Sequence, residues 1–215
     1  SINLIKIMDK YKCYKLVFSS SATVYGIKNS KLLKEQFKPD PQNPYGTTKF
    51  VIEKFLDDIV HNCLSDTWRI GILRYFNPIG SHDSGLIGED PFGVPNNIFP
   101  YITQVAIGKL KELKVYGSDW PTKDGTGIRD YIHVMDLAEA HIEALENLSK
   151  SEDSIFTVNI GTGKGTSVLE LINTFQKVNN IKIPYQFTDR REGDVPRLVA
   201  DNLMAQSILK WKPKR

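Results

Sequence analysis

The chain has 215 residues, 40% apolar and 25% charged, fractions typical of a globular protein. Its 28 basic and 25 acidic residues give a net charge of +3, and because the two signs are interspersed the charge predicts no nucleic-acid or membrane partner. No apolar run approaches the length of a membrane span. Cys13 and Cys63 lie outside any metal-type spacing, so we expect free buried thiols, no metal site and a cytoplasmic location.

Apolar periodicity predicts helices and strands that alternate along the chain. The predicted helices cover residues 2–11, 45–64, 98–109, 136–148, 168–178 and 202–209. The predicted strands cover residues 14–19, 69–76, 113–116, 155–160 and 185–188. Residues 77–95 and 119–127 are rich in Gly, Pro and Asp, so we expect them to form loops.

This alternation predicts an α/β fold with a parallel sheet. Serines end the first predicted strand, which places them at the carboxyl edge, where such sheets bind ligands. We expect residues 1–77 and 129–162 to form a sheet-based domain, with residues 78–128 and 163–215 as a smaller mixed α/β lobe over that edge. Neither end of the chain carries a recognisable closing element, so we interpret the sequence as a fragment of a longer protein.

A tyrosine and a lysine stand four residues apart at the start of the second predicted helix. Tyr45 and Lys49 therefore share one face of that helix. A phenol ordinarily has a pKa of about 10, and a neighbouring cation favours its ionised form. Such a pair can remove a proton from an alcohol while a hydride leaves. The spacing alone is equally consistent with a half-buried tyrosine and a solvated lysine.

Four further motifs accompany this pair and the serine run. They are residues 73–78 (LRYFNP), 95–97 (PNN), 124–134 (DGTGIRDYIHV) and 190–194 (RREGD). Taken together, they resemble the UDP-glucose 4-epimerases, a family of the extended short-chain dehydrogenase/reductase superfamily, over essentially the whole chain. Related dehydratases place an Asp-Glu pair after the serines for elimination. Ala22 and Thr23 stand there in this chain, which favours oxidation and re-reduction instead.

The resemblance implies the C-terminal half of a Rossmann-type sheet that binds NAD, plus a lobe that binds a UDP-sugar. It implies that Tyr45 is the general base, that Ser21 shares its network, and that Lys49 holds the nicotinamide ribose. The implied nicotinamide contacts are Ser19, Ser20, Tyr45, Lys49, Tyr75 and Phe76. The implied substrate contacts are Ser21, Tyr45 and Asn77 at the sugar, Asn97 and Ile98 at the diphosphate, Lys114, Val115 and Tyr116 at the uridine, and Arg129, Arg191 and Asp194 at the phosphates and ribose.

The implied activity is the interconversion of UDP-glucose and UDP-galactose through a 4-keto sugar, a step of galactose metabolism. Leu198 occupies the position that limits room for an N-acetyl group, and its intermediate size favours non-acetylated sugars. The family forms homodimers through a helical bundle that includes residues 45–64. The glycine-rich pyrophosphate loop is missing, so we expect the fragment alone to be inactive. The alternatives are action on N-acetylated or pentose UDP-sugars, and a non-catalytic nucleotide-sugar-binding module.

Several other features have simpler interpretations. Residues 161–165 (GTGKG) follow a strand, but their spacing is not that of a dinucleotide loop, so we expect a tight turn. His133 and His141 have no predicted ligand partners, and we expect hydrogen-bonded structural residues. We expect Asp124 and Asp130 to cap or pair rather than to bind a metal. Tyr101 is expected in the core, and Tyr25 and Tyr131 stay ambiguous.

Overall fold

The computed structural model describes residues 1–62 and 67–215. Its helices are α1 (Ile2–Lys10), α2 (Pro44–Asn62), α3 (Ile98–Ala106), α4 (Val134–Lys150), α5 (Val168–Asn179) and α6 (Leu203–Leu209), and a 3₁₀ turn covers Ala22–Tyr25. Its strands are β1 (Lys15–Ser21), β2 (Arg69–Tyr75), β3 (Asn77–Ile79), β4 (Leu113–Tyr116), β5 (Ile128–Arg129), β6 (Tyr131–His133), β7 (Ile155–Ile160), β8 (Thr166–Ser167), β9 (Tyr185–Thr188) and β10 (Arg197–Leu198). The predicted α/β class is confirmed.

Strands β1, β2 and β7 form a parallel sheet with β2 in the centre. The sequence of β2 is a nearly continuous apolar run, the pattern of a strand covered on both faces. Its Ile70, Ile72 and Leu73 are at most 2% exposed. The register pairs Ser20 of β1 with Arg74 of β2, so their side chains share one face of the sheet.

Helices cover both faces of this sheet. On one face, Ile5 of α1 and Leu56 and Ile59 of α2 join a core with the β2 isoleucines. On the other face, α4 and α6 pack against β2 and β7. The helices on both faces bury the sheet. Its carboxyl edge, where β1 ends in serines, carries polar side chains.

Side chains at their N-termini define where two of these helices begin. His133 Nδ1 accepts a hydrogen bond from the Met135 amide, so α4 starts at Val134 rather than at the predicted residue 136. Ser167 and Glu170 form a capping box at the start of α5. These caps satisfy amides that have no partner within the helix.

The remaining strands form three smaller sheets. Strands β4 and β9 pair in parallel, and α3 and α5 pack with them around a core that includes Tyr101, Ile102 and Ile172. Strand β5 pairs with β10 in parallel and with β8 antiparallel. Strand β3, which directly follows β2, pairs with β6, which directly precedes α4.

The main elements were predicted within a few residues, and the differences have local causes. Strand β1 continues to Ser21, two residues past the predicted end, because Ser20 and Ser21 stay in register with β2. Helix α3 ends at Ala106, three residues before the predicted end, and a turn with Gly108 at φ +75° follows it. Residues 77–79, inside a predicted loop, form β3. The predicted end of the second helix at residue 64 lies outside the described residues.

The composition led to two expectations, one about the cysteines and one about membrane-spanning segments. Cys13 is a free thiol but it is exposed, so the expectation of a buried thiol was wrong for this residue. It follows α1 in a turn at the surface, where no apolar face requires its burial. Cys63 lies outside the described residues. Within residues 1–62 and 67–215, no helix has both the length and the apolar character needed to cross a bilayer.

Asp136 lies buried at the first turn of α4 and accepts hydrogen bonds from Lys214 N at 2.9 Å, Arg215 N at 2.9 Å and Arg215 Nη1 at 2.8 Å. Burial opposes ionisation, but the bonds from Arg215 and Lys214 outweigh it and hold the pKa of Asp136 below its usual value.

We therefore expect Asp136→Asn to lower the free energy of unfolding by about 2 kcal/mol at neutral pH. A carboxyl with a depressed native pKa stabilises the fold above its unfolded pKa of about 3.9 and loses that contribution as the pH falls through its native value. The difference between wild type and variant should be constant at neutral pH and shrink below about pH 4. Urea unfolding across this range measures it, and a difference that grows towards acid pH would contradict the assignment.

Candidate active site

Three consecutive serines form the carboxyl end of β1, and alternation sends neighbouring side chains to opposite faces. Ser19 Oγ lies 2.9 Å from His141 Nε2 of α4. Ser20 Oγ donates to Glu53 of α2 on the other face. Ser21 begins the 3₁₀ turn, where its Oγ accepts from Thr23 N at 3.2 Å and Thr23 Oγ1 at 3.0 Å. The sheet edge is thus tied to a helix on each side.

Lys49 of α2 reaches this edge. Its Nζ donates to the main-chain oxygen of Ser19 at 2.8 Å and lies 5.6 Å from the centre of the Tyr45 ring. Tyr45 is 51% exposed, so its phenol is open to a ligand. The ammonium therefore lies between the serine strand and the tyrosine, and the simpler reading of Lys49 as a solvated side chain does not describe the structure.

A second phenol, that of Tyr75, lies at the end of β2 close to the first. Burial and the neighbouring Tyr45 raise the pKa of Tyr75, and a hydrogen bond with Ser19 opposes that rise. Its ring centre lies 6.3 Å from that of His141. Tyr75 is thus partly buried and hydrogen-bonded, whereas the Tyr45 phenol is 51% exposed and open at this edge.

A cavity of about 290 Å³ opens beside the serines. Thirteen of the predicted site residues line it: Ser21, Tyr75, Phe76, Asn77, Asn97, Ile98, Lys114, Val115, Tyr116, Arg129, Arg191, Asp194 and Leu198. They include residues of the parallel sheet and of the smaller sheets, so the fold gathers positions that are up to 177 residues apart in sequence. The four predicted residues outside its wall, Ser19, Ser20, Tyr45 and Lys49, lie at the adjoining sheet edge.

The cavity holds two guanidinium groups with different partners. Arg129 forms an ion pair with Asp194 and is only 12% exposed. The Arg191 guanidinium stacks over the Tyr116 ring with its carbon 3.8 Å from the ring centre. Asn97, predicted near the diphosphate, donates from Nδ2 to Glu89 at 2.6 Å. With Lys114 also in the wall, cationic groups outnumber acidic ones, which suits an anionic ligand.

Sequence reasoning assigned no binding role to several other residues of the wall. Thr23, Asn96, Phe99 and Val168 line the cavity beside predicted positions. Tyr131, which was ambiguous, also lines it, and burial raises its pKa to about 12. Its pairing with Asn77 in the β3–β6 ladder could have identified it, but that ladder is too short to predict from periodicity.

The glycine-rich segment at residues 161–165 is a turn whose amides are already used. Asp130, fully buried, accepts from Thr162 N at 2.8 Å, Gly163 N at 2.9 Å and Ala200 N at 3.1 Å. A carboxylate of the chain itself thus occupies the position that a phosphate would take in a dinucleotide loop. The other carboxylate in question, Asp124, accepts bonds from Thr126 and Ser167.

The remaining ambiguous residues have structural partners. His141 Nδ1 lies 2.8 Å from the Leu137 carbonyl, so Nδ1 carries the hydrogen and Nε2 accepts from Ser19 in the neutral ring. Tyr25 is fully buried and donates to Asn159 Oδ1 at 2.6 Å, and burial raises its pKa to about 12. Tyr101 is 8% exposed in the core around α3 and also lines the cavity.

The sheet edge fits the nicotinamide end of a dinucleotide. It presents an anchored ammonium and an open phenol at the ends of parallel strands, where α/β sheets bind such ligands, and the buried Phe76 lies in the adjoining cavity wall. The chain's own glycine-rich turn cannot serve the pyrophosphate, because Asp130 holds its amides. Among residues 1–62 and 67–215, no group of three or more candidate ligands could hold a metal ion.

Comparison with known proteins places these features in context. A family model described as GDP-mannose 4,6 dehydratase matches residues 1–215. UDP-glucose 4-epimerase of Bacillus subtilis (strain 168) is 50% identical over 212 residues, which is 99% of this chain and 62% of the relative. Bifunctional UDP-glucose 4-epimerase and UDP-xylose 4-epimerase 1 of Pisum sativum is 51% identical over 215 residues, 100% of this chain and 61% of the relative.

Solved structures give the same picture. The UDP-glucose-4-epimerase of Stenotrophomonas maltophila, with bound NAD and formylated UDP-arabinopyranose, superimposes with a TM-score of 0.94 at 46% identity and covers 100% of this chain and 63% of that one. The Bifidobacterium longum UDP-glucose 4-epimerase, in complex with NAD+ and UDP, gives 0.93 at 46% identity, with 99% and 62% covered. The chain thus spans about three fifths of the length of the relatives it matches.

Proposed function

The chain belongs to the GDP-mannose 4,6 dehydratase family of the extended short-chain dehydrogenases/reductases, and from this we propose that the protein containing it is an NAD-dependent UDP-glucose 4-epimerase. The sequence resemblance to the epimerases is confirmed by relatives of that name at about 50% identity along the whole chain. The proposal gives the protein a step of galactose metabolism in the cytoplasm.

One observation carries the proposal. The Lys49 ammonium is fixed to the strand end at Ser19, beside an open Tyr45 phenol, and a cavity with two guanidinium groups begins at Ser21. The Tyr45 phenol beside Lys49 suits proton removal from an alcohol, and the two guanidinium groups of the cavity suit a nucleoside diphosphate. A nucleotide-linked sugar is a ligand that needs both.

The chain's own residues account for the proton chemistry. We assign Tyr45 as the base that takes the proton of the sugar 4-hydroxyl and returns it after the ring has turned over as a 4-keto sugar. Lys49 places a positive charge 5.6 Å from the centre of the Tyr45 ring. Ser21 orients the hydroxyl, and Tyr75 stays neutral. Holding these groups in line with the sugar lowers the entropic part of the barrier.

NAD is the cofactor of this proposal. Ser19, Lys49, Tyr75 and Phe76 would hold its nicotinamide end, and Ser20 would contribute only main-chain atoms, because its side chain is bonded to Glu53 on the other face of the sheet. When bound, it supplies the acceptor and then the donor of the hydride at C4. We assign the sheet-based part, residues 1–77 and 129–162, to the cofactor and residues 78–128 and 163–215 to the UDP-sugar. Because the glycine-rich pyrophosphate loop lies outside this chain, the chain alone is expected to be inactive.

The proposed uridine diphosphate site uses the cavity. Arg129, Arg191 and Asp194 hold the phosphates and ribose, while Lys114, Val115 and Tyr116 flank the uracil. Asn97 and Ile98 lie at the diphosphate, and Asn77 lies at the sugar. Binding energy from this remote nucleotide can be used to position the reacting carbon. UDP-glucose and UDP-galactose are the proposed pair of substrates.

A second candidate activity is the 4-epimerisation of pentose UDP-sugars. It is favoured by the Pisum sativum relative, whose name includes UDP-xylose 4-epimerase, at 51% identity. Loss of the sugar's terminal hydroxymethyl group leaves the 4-hydroxyl and the nucleotide unchanged, so the same base and cavity serve both. The other alternative, a non-catalytic nucleotide-sugar-binding module, applies to the isolated 215-residue chain.

We propose a homodimer for the full-length protein. The helices on the outer side of the sheet carry exposed apolar side chains, with Ile7 of α1 at 55% and Val51 of α2 at 59% exposed. A second copy packed on α2 would cover such residues. Sedimentation equilibrium of the full-length protein measures the association.

Turnover by the full-length protein tests the function. We expect the purified protein to contain NAD and to interconvert UDP-glucose and UDP-galactose to equilibrium without added reductant. A panel with UDP-xylose and N-acetylated UDP-hexoses separates the alternatives. Binding of UDP without turnover of any of these sugars would contradict the proposed activity.

Leu198 tests the substrate range. It lines the cavity, is 8% exposed and pairs with Arg129 across the β10–β5 ladder. We expect Leu198→Gly to raise kcat/KM for N-acetylated UDP-hexoses relative to UDP-glucose by at least about tenfold, because removal of the side chain opens room beside the sugar. Leu198→Met, which conserves volume, is the control. An unchanged preference in the glycine variant would remove Leu198 as the determinant of sugar size.

A further inference from the structure

A buried ion pair lies behind the serine strand, between α2 and the sheet. Glu53 of α2 is 5% exposed and Arg74 of β2 is 6% exposed. Arg74 grips the carboxylate with two bonds, from Nε to Oε1 at 3.0 Å and from Nη2 to Oε2 at 2.6 Å. Ser20 adds a third bond to Oε1. One carboxylate thus joins a helix to two neighbouring strands.

Sheet register makes this arrangement possible. Ser20 and Arg74 are direct partners in the β1–β2 ladder, so both side chains point towards α2. Ser19 and Ser21, one residue to either side, point to the other face. The three serines therefore have different partners. Ser20 bonds to Glu53 of α2, Ser19 contacts α4, and Ser21 lines the cavity.

Helix geometry connects this anchor to the proposed base. Tyr45, Lys49 and Glu53 follow one another at intervals of four residues, so they lie within about 80° of one helix face. A rotation of α2 by about 10° would move a group 6 Å from its axis by about 1 Å. A misplacement of about 1 Å can lower a rate on the order of 10²-fold.

Burial makes the anchor rigid. An unpaired charge in this position would cost several kcal/mol, so the helix cannot turn away from Arg74 without a penalty. Arg74 is itself held by the Tyr25 ring, with its guanidinium carbon 4.9 Å from the ring centre. The Tyr25 hydroxyl in turn bonds to Asn159 of β7. Glu53 of α2 is therefore connected, directly or through Tyr25, to side chains of all three strands of the sheet.

We propose that Glu53 is a positioning residue for the reaction: its bonds to Arg74 and Ser20 set the rotation of α2, and so the place of the Tyr45 hydroxyl and the Lys49 ammonium. It acts through these two side chains and touches no reacting atom. The proposal rests on the proposed epimerase function. The positioning role extends that function, because it assigns a task to a buried carboxylate that takes no part in the chemical steps.

The test replaces the carboxylate by an amide of the same size. In the full-length protein, Glu53→Gln should lower kcat on the order of 10²-fold, because the amide nitrogen faces the Arg74 donors and the grip opens. The dissociation constant for UDP should stay within about threefold of wild type, since the nucleotide site lies elsewhere. Glu146→Gln, which makes the same change in an exposed ion pair with Lys150, is the matched control and should leave both values unchanged.

A second variant guards against a failure to fold. Arg74→Lys keeps the buried positive charge but cannot form the paired bonds, so it should lower kcat about tenfold with native-like UDP binding. Unchanged kcat in both variants, with wild-type protein active, would overturn the proposal. A parallel loss of UDP binding and kcat would also overturn it, because that pattern reports general unfolding.

A structural readout separates this proposal from the proposed function. In a crystal structure of the Glu53→Gln protein, we expect Lys49 Nζ to leave its 2.8 Å contact with the Ser19 oxygen. Retention of that contact and of the Tyr45 position would overturn the proposal even if wild-type protein turned over no UDP-sugar. Absent wild-type turnover alone would count only against the epimerase assignment.

Discussion

Replacing Tyr45 with phenylalanine in the full-length protein is expected to lower kcat on the order of 10³-fold. The change removes one oxygen and leaves the ring, so the packing near Lys49, whose Nζ lies 5.6 Å from the ring centre, is kept. Tyr75 is not expected to replace it, because this phenol is partly buried and already hydrogen-bonded with Ser19. Alcohol oxidation without a base leaves the proton with no acceptor.

Binding should separate from turnover in this variant. The cavity wall does not include Tyr45, so UDP affinity measured by calorimetry should match that of the wild type. Tyr185→Phe makes the same change on the surface strand β9 and should alter neither value. Full turnover by the Tyr45→Phe protein would remove this phenol from the mechanism, whereas a matching loss of UDP affinity would assign it a structural role.

The elements that carry the proposed chemistry were predictable because their patterns are local. Helix α2 shows apolar residues at helical spacing and begins at a proline, and β2 has a continuous apolar centre at residues 70–73. The pair at Tyr45 and Lys49 needs only helix geometry to share a face. The serine strand needs only the rule that parallel sheets bind ligands at their carboxyl edge.

What could not be predicted depends on register and on long-range pairing. The strands at residues 128–129, 166–167 and 197–198 have two residues each, too short for any period to show. The ion pair of Arg129 with Asp194 joins positions 65 apart. Glu53 looks like an ordinary polar residue of an amphipathic helix, and only the alignment of Ser20 with Arg74 shows why it is buried.

Asp130 is the other residue whose removal should have a large effect, here on stability. Its side chain accepts four hydrogen bonds, from Thr162 N, Thr162 Oγ1, Gly163 N and Ala200 N, at 2.6–3.1 Å. Its backbone N–H donates to Leu198 O, and its carbonyl accepts from Asn77 N, each at 3.0 Å. One fully buried residue thus fixes the ends of β2 and β7 and the strand that carries Leu198.

We expect Asp130→Ala to lower the free energy of unfolding by about 4 kcal/mol, because it leaves one buried and two partly buried amides without their acceptor. Asp130→Asn should cost nearly as much. Each carboxylate oxygen accepts two bonds, so either orientation of the asparagine amide turns its NH2 group towards at least one backbone N–H, that of Thr162 or those of Gly163 and Ala200. Equilibrium urea unfolding followed by tryptophan fluorescence measures both variants.

The Asp130 substitutions should also affect the proposed nucleotide site. Arg129 ends β5 directly before Asp130, so loss of the Asp130 hydrogen bonds should displace the Arg129 guanidinium and weaken UDP binding. Asp153→Ala, which removes an exposed carboxylate from the loop before β7, is the control and should leave stability and UDP affinity unchanged. Stability of the asparagine variant equal to that of the wild type would show that Asp130 is not held as a charged acceptor of four bonds.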